Sequence, residues 1–389
     1  MSGVPMSRSI KCFALCLACF LFMSQTISVR AELSVEAPSA VLMESSTGQI
    51  LYEKNASNRQ SPASVTKVMT LLLTFEALEN GKIHLDDEVL TSEHAASMGG
   101  SQVFLSEGEV QSLETLIKCI VIASGNDASV AVAEHVAGSE TAFVEKMNEK
   151  ALELGMNDTH FVDCCGLTDS EEHYSCARDI AVMSRELITR YPEVLKYSGI
   201  WMEDITHVTR RGESIFTLTS TNKLLKQYQY TTGLKTGYTS RAKYCISATA
   251  CKDGMELIAV ICGADTSKSR NNDVKTLFGY GFANCALFID TPEIPENCPV
   301  QGGILETVPL TCEEFRYLST TGEDLTAVES RIEVEPYLNA PIHAGDVAGY
   351  ITYYLNNVEI GKAKIFCSND VDKAQWRDLL RIVFGKFLL

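Results

Sequence analysis

Two strand-rich stretches lie far apart in the chain, and helical periodicity fills the space between them. Residues 40–54 read as a hairpin, two β-rich runs folded around Ser46-Thr47-Gly48. Residues 233–263 hold two more such runs, KYCISATA and MELIAVICG, split by the turn Lys252-Asp253-Gly254. In between, Val65 to Leu78 carries apolar residues at helical spacing and stops at Asn80-Gly81. Further amphipathic helical stretches run from Leu113 to Tyr191. Strands at both ends of one region with helices between them predict an α+β domain, not a wound parallel sheet.

After Thr291 the texture changes. Pro292, Pro295 and Pro299 mark a linker, and residues 300–367 carry short alternating runs broken by turn residues. A small all-β, sandwich-like domain is expected over residues 292–369, behind a catalytic domain over 32–291. From Asp372 the periodicity returns to helix. On a helical wheel Trp376, Leu379, Leu380, Val383, Phe384 and Phe387 share one face, with Arg377, Asp378 and Arg381 off it. Residues 370–389 are therefore expected to form an amphipathic helix on a membrane surface, with Arg377, Arg381 and Lys386 meeting anionic head groups.

The opposite terminus reads as an export signal. Arg8 and Lys11 precede the apolar run Cys12 to Met23, and Val29-Arg30-Ala31 supplies small residues two apart. Residues 1–31 are expected to be removed, leaving an exported protein at the outer face of the cytoplasmic membrane. No internal apolar run reaches the roughly 18–20 uncharged residues a spanning helix needs. Asp plus Glu number 50 against 33 Lys plus Arg, a net charge of −17, which repels phosphate and disfavours nucleic acid as a partner. Of the 14 Cys, Cys12, Cys16 and Cys19 leave with the signal, and the odd remainder shows no CxxC pair. Most sit in apolar strings and read as small buried hydrophobes.

The chemistry is narrowed by what is missing. The seven His form no HxxxH pair, so no zinc ligand set is visible, and there is no GxSxG, GxGxxG or P-loop. Neither metal nor cofactor is expected. Three short strings remain: Ser64-Val65-Thr66-Lys67, Ser124-Gly125-Asn126 and Lys235-Thr236-Gly237. Each alone is weak, and Ser220-Thr221-Asn222-Lys223 is a second SxxK copy. Context separates them. Ser64 follows Pro62-Ala63 at a helix start, and Lys67 lies one turn on at the head of the apolar run VMTLLLTF. A buried lysine loses pKa through desolvation and becomes a base. Ser220 precedes a short polar stretch and lacks that setting. Ser124-Gly125-Asn126 reads as a tight turn between two buried segments. Lys235-Thr236-Gly237 opens a strand pair, where Lys and Thr suit an anion and Gly allows a substrate backbone close to an edge strand.

These three strings, in this order, resemble the signature of the penicillin-recognising serine D-alanyl-D-alanine carboxypeptidases, the type-5-like low-molecular-mass penicillin-binding proteins. The resemblance covers nearly the whole chain after the signal, through TGQILYEKN, PASVTK, FVDCCGL, HYSCARD, TSTNKLL, KTGYTSRAKYC, DTSKSRNND and NAPIHAGDVAG. It implies a β-lactamase/transpeptidase-like catalytic domain and cleavage of the terminal D-alanine from peptidoglycan stem peptides. It also implies covalent capture of β-lactam antibiotics. In that scheme Ser64 is the nucleophile, and Lys67, kept neutral by burial and by the charge of Lys235, is its base. Ser124 relays a proton to the leaving amine and Asn126 holds the substrate amide. Lys235, Thr236 and Gly237 form the carboxylate-binding strand, and the backbone N–H groups of Ser64 and Tyr238 the oxyanion hole. Arg270 resembles the family's second carboxylate-region arginine, with a structural salt bridge as its other reading. Asp179 resembles a family acid near the site, or is a helix-surface acid.

Departures from the pattern are Asp163 where relatives often carry Asn, the Cys164-Cys165 pair after it, and Lys243 where many carry Gly. Two other functions compete. A class A-like β-lactamase needs a glutamate in an ExxLN string. Glu153-Leu154-Gly155-Met156-Asn157 imitates one, yet Gly155-Met156 reads as a helix end. A non-catalytic β-lactam- or wall-binding protein has no need of an intact Ser64, Lys67, Ser124 and Lys235.

Overall fold

The structure, a computed structural model, describes residues 33–209, 212–320 and 322–378. The expected signal peptide and nearly all of the expected tail helix lie outside the described residues.

The region between the two strand-rich stretches closes into one antiparallel sheet. Strands β1 (Ser39–Glu44) and β2 (Ile50–Lys54) form the first hairpin. Two small hairpins follow, β3 (Glu88–Leu90) with β4 (Val110–Ser112) and β5 (Met202–Thr209) with β6 (Gly212–Thr219). Then come β7 (Thr231–Thr239), β8 (Lys243–Lys252) and β9 (Met255–Ala264). The main sheet runs β2-β1-β9-β8-β7, so β1 pairs with the last strand and β7 is an edge. One row crosses it as Val41, Val260, Ser247 and Lys235, which sets four side chains on one face.

Nine helices are described in this region. They are α1 (Lys67–Glu79), α2 (Glu93–Ser97), α3 (Leu113–Val121), α4 (Asn126–Ala137) and α5 (Glu140–Glu153), then α6 (Ala177–Arg190), α7 (Val194–Ser198), α8 (Leu224–Gln227) and α9 (Ser267–Asn284). Helix α6 meets the Lys235 face, where the Ser184 and Ser247 hydroxyls bond at 2.7 Å. Helix α9 covers the opposite face, its Gly281 lying against Leu257 and Leu42. The main core gathers on the α6 side around α1, whose residues Lys67 to Phe75 are all buried. A helix apolar all round belongs inside a core, and its buried hydroxyls must bond internally. Thr74 duly donates to the Thr70 carbonyl, and Thr70 to the Cys164 carbonyl. The first turn, Ala63–Thr66, is 3₁₀ rather than α, with Ala63 at φ +48°.

Beyond α9 an all-β unit begins: β10 (Ala286–Asp290), β11 (Asn297–Gln301), β12 (Thr307–Cys312), β13 (Phe315–Ser319), β14 (Val328–Val334), β15 (Leu338–Asn339), β16 (Val347–Leu355) and β17 (Val358–Cys367). Six strands order as β14-β16-β17-β12-β11-β15, and β10 pairs with β13. The Tyr353 ring stacks on Phe315 at 3.8 Å between centroids, and its hydroxyl donates to Asp290 at 3.0 Å. That contact draws β10, upstream of the proline-marked linker, into this unit. At the other end Val371 is buried and exchanges both backbone bonds with Ile342, and Ala374 N–H donates to the Gly302 carbonyl. Residues 371–374 are thus stitched to the β unit instead of opening the tail helix, because their backbone groups find partners there. A helical turn starts only at Trp376.

Candidate active site

The 3₁₀ turn at Ala63–Thr66 puts Ser64 and Lys67 on one side, with Lys67 Nζ 3.1 Å from Ser64 Oγ. Lys67 Nζ also bonds to Asn126 Oδ1 at 2.7 Å and to the Cys165 carbonyl at 2.8 Å. A neutral amine has two N–H groups and one lone pair. With both N–H groups directed at Asn126 and Cys165, the lone pair is left for the Ser64 hydroxyl. Burial pushes the Lys67 amine below its usual range. The repulsion expected between Lys67 and Lys235 acts on both amines alike. Lys235 lies well below its usual range, first through burial and then through the charges of Lys67 and Arg270.

The turn between α3 and α4 places Ser124 with φ +63°, a left-handed backbone that aims its hydroxyl at β7. Lys235 Nζ donates to Ser124 Oγ at 2.8 Å and to the Thr236 carbonyl at 3.0 Å. Asn126, expected on the cleft wall, spans Lys67 and the Gly99 carbonyl from a fully covered position instead. Its neighbour Asp127 accepts the backbone N–H groups of Val103 and Leu105, which fastens the loop at residues 99–105 beside the site.

A cleft of about 410 Å³ opens over these groups. Ser64, Ser124, Thr236, Gly237, Tyr238 and Arg270 all line it, and so do Ser101, Thr221, Lys223, Tyr244 and Ser267. Gly237 faces the nucleophile rather than solvent. A Cβ there would sit 2.9 Å from the Pro62 carbonyl oxygen and 3.0 Å from Ser64 N, so the glycine is required by this close approach of β7 to the 3₁₀ turn. The same approach sets the Ser64 N–H beside the backbone that leads into Tyr238. Tyr238 itself is exposed and packs its ring against Tyr244, 4.5 Å between centroids.

Arg270 reaches the cleft, held by Asn271 Oδ1 and the Cys245 carbonyl, with no carboxylate partner among the described residues. Burial pulls its guanidinium down to about 10. Asp179 lies elsewhere: it is buried in the first turn of α6 and accepts from Asp158 N and the Thr159 hydroxyl. Asp163, whose contacts the sequence left open, accepts N–H bonds from Cys165, Gly166 and Thr168. It thereby fixes the loop that offers the Cys165 carbonyl to Lys67. His173 braces the other side, with Nε2 on the Thr66 hydroxyl at 2.8 Å and Nδ1 accepting from Val162 N. Lys243 closes the β7–β8 turn at φ +57°, a left-handed backbone that favours glycine. The described cysteines form no disulfide, and eight of them are buried.

Residues 25–266 match the D-alanyl-D-alanine carboxypeptidase family, and residues 289–373 match the C-terminal domain of penicillin-binding protein 5. D-alanyl-D-alanine carboxypeptidase DacF of Bacillus subtilis is 42% identical over 358 residues, 91% of each chain. D-alanyl-D-alanine carboxypeptidase DacA of Haemophilus influenzae is 34% identical, spanning 90% of this chain and 88% of that one. The crystal structure of penicillin binding protein 5 from Haemophilus influenzae superposes with a TM-score of 0.70 at 33% identity, covering 87% of this chain and 98% of that one. With the cleft geometry and these matches over nearly its full length, the chain belongs to the D-alanyl-D-alanine carboxypeptidase family.

Proposed function

We propose that this protein is a serine D-Ala-D-Ala carboxypeptidase that trims the terminal D-alanine from peptidoglycan stem peptides and is acylated by β-lactams. The observation that carries this is the buried Lys67 amine, 3.1 Å from Ser64 Oγ and anchored by Asn126 Oδ1 and the Cys165 carbonyl. Lys67 takes the Ser64 proton as Oγ attacks the carbonyl carbon of the penultimate D-Ala. The negative charge that develops on the carbonyl oxygen is met by the N–H groups of Ser64 and Tyr238. Collapse of the tetrahedral species breaks the peptide bond. Ser124, bonded to Lys235, passes a proton to the departing amine and is reprotonated by the one Lys67 took from Ser64, which returns Lys67 to its neutral form as D-alanine leaves. Water then cleaves the Ser64 ester and restores the free hydroxyl. A β-lactam enters the same first step, but its leaving nitrogen stays tethered to the acyl group.

Lys235, Thr236 and Arg270 meet the substrate's terminal carboxylate, which supplies the counter-charge that a buried Lys235 lacks. The β-lactamase reading is disfavoured by Glu153. Its carboxylate pairs with Lys150 at 2.7 Å beside a different cleft, lined by Leu73, Glu76 and Asn80. At the chain's end, an amphipathic helix from Trp376 is proposed to rest on a membrane surface. Exposure of Trp376 at 66% supports this, and no described helix is long and apolar enough to cross a membrane.

Intact-mass spectrometry of penicillin-treated protein tests the nucleophile. Wild type should gain one penicillin mass and release D-alanine from a D-Ala-D-Ala peptide, whereas Ser64→Ala should do neither. An adduct that persists in Ser64→Ala, or maps to Ser220, overturns the assignment.

A further inference from the structure

In the second SxxK string, Ser220 to Lys223, the lysine is exposed and lacks the burial that makes Lys67 a base, and the sequence context reads as surface. The fold nevertheless lays it along the catalytic cleft, where Thr221 and Lys223 both line the wall. We infer that this string and the helix α8 that follows it form a second carboxylate-recognition element, in which Thr221 positions the Thr236 hydroxyl and Lys223 is the cation that captures the substrate's terminal carboxylate. The inference rests on the carboxypeptidase reading and adds residues to it.

The segment is fastened for such a task. Asn222 Nδ2 donates to the Gly233 carbonyl on β7 at 3.1 Å, while Asn222 Oδ1 caps Leu224 N. Its neighbour Thr221 then meets Thr236 hydroxyl to hydroxyl at 2.7 Å. A hydroxyl has a single proton. If Thr236 gave it to Thr221, none would remain for a carboxylate. If Thr221 is the donor, the Thr236 proton is free to point into the cleft, and its oxygen is polarised in the direction that strengthens that bond. An anion at Thr236 therefore selects the arrangement that only a hydroxyl at residue 221 supplies.

The same segment braces the other cation of this end of the cleft. Gln227 on α8 accepts from Asn271 Nδ2 at 3.1 Å, and Asn271 Oδ1 in turn holds Arg270 through Nε and Nη2. Arg270 is thus held in place, with one of its two Nη1 N–H groups on the Cys245 carbonyl. Lys223 is different: it is exposed on the rim and has no carboxylate partner among the described residues. On a chain of net charge −17, Lys223 and Arg270 at one end of one cleft make a local positive focus that draws in an anionic substrate end.

Steady-state kinetics on a D-Ala-D-Ala peptide and on its C-terminal amide separate this from a structural role. Thr221→Val should cut kcat/KM on the acid about tenfold more than on the amide, as expected for loss of an oriented charge-assisted hydrogen bond. Thr221→Ser should restore the wild-type ratio. Lys223→Met, a change on the exposed rim, should raise KM on the acid with kcat kept, and should flatten the dependence of kcat/KM on salt. Equal fold-losses on acid and amide, or acid kinetics unaltered in both Thr221→Val and Lys223→Met, overturn the inference while the carboxypeptidase reading stands. Wild-type rates that are equal on acid and amide overturn that underlying reading instead, and the inference with it.

Discussion

Lys67 shows how a side chain that costs stability becomes useful. Burial holds its amine below the ordinary 10.5, and no described carboxylate is bonded to it to offset the cost. The sign of the pH effect follows from which form works. Below the lowered folded pKa the amine is protonated and takes no proton from Ser64; above it the amine is neutral and active. Acylation by penicillin should therefore rise with pH through one ionisation below 10.5 and then level off, as stopped-flow measurement of adduct formation would show. Lys67→Arg stays charged at every accessible pH. It should lack the rise and be slower by roughly 10²–10⁴-fold, the usual range for lost general-base help. Stability moves in the same sense. The unfolded chain keeps this proton up to 10.5 while the folded chain releases it earlier, so the folded state gains with rising pH across that window. A Lys67 acylation rate independent of pH would remove it as the base.

At the scale of elements, the site depends on how closely an edge strand approaches a helix start. Strand β7 meets the 3₁₀ turn at Gly237, and all three atoms nearest a Cβ there, Pro62 O, Ser64 N and Ala63 Cβ, belong to backbone or to a Cβ that has no rotamer. None of them swings aside, so the strand and the turn must separate. Gly237→Ala should therefore lose about 10²-fold or more in acylation rate, the scale of a misplacement of roughly 1 Å between reacting groups. Circular dichroism should show the secondary structure intact. An alanine variant with wild-type acylation would mean that the turn is not held by this contact. The adjoining loop obeys the same economy of contact: Gly166 lies against the Ala63 carbonyl, where any Cβ would clash. Loop, turn and strand converge on Ser64 through two glycines.

Over the whole molecule, the end of the β unit lies later than the sequence pattern places it. Val371 is fully buried, and residues 371–374 bond to Ile342 and Gly302. Truncation after Asp370 would strip a core side chain and these backbone partners. It should cost about 1.5–3 kcal/mol from the lost valine burial alone, read as a shift in urea midpoint. Truncation after Gln375 should keep wild-type stability and penicillin binding, yet leave the membrane fraction. If the protein cut after Gln375 still sediments with membranes, the tail is not the anchor. If the Asp370 truncation is as stable as full-length protein, the stitching of 371–374 contributes nothing.

The sequence alone determined the architecture class and the three motifs, for a plain physical reason. Local periodicity reports whether a segment is strand or helix, and a lysine at the head of the apolar run VMTLLLTF is carried toward the core with it. The order Ser64-Lys67, Ser124, Lys235-Thr236-Gly237 was therefore legible before any contact was known. What only the tertiary structure decided is which residues distant in sequence share a wall. Thr221 and Lys223 belong to a string that looks polar and ordinary, and nothing local marks it as facing Thr236. The bonds of the Asn126 amide to Lys67 and to the Gly99 carbonyl are likewise invisible in any local pattern. His173 and the Cys165 carbonyl act through bonds between segments far apart in the chain, the first across 107 residues to Thr66 and the second across 98 to Lys67. Such partnerships depend on chain closure, and periodicity carries no record of it.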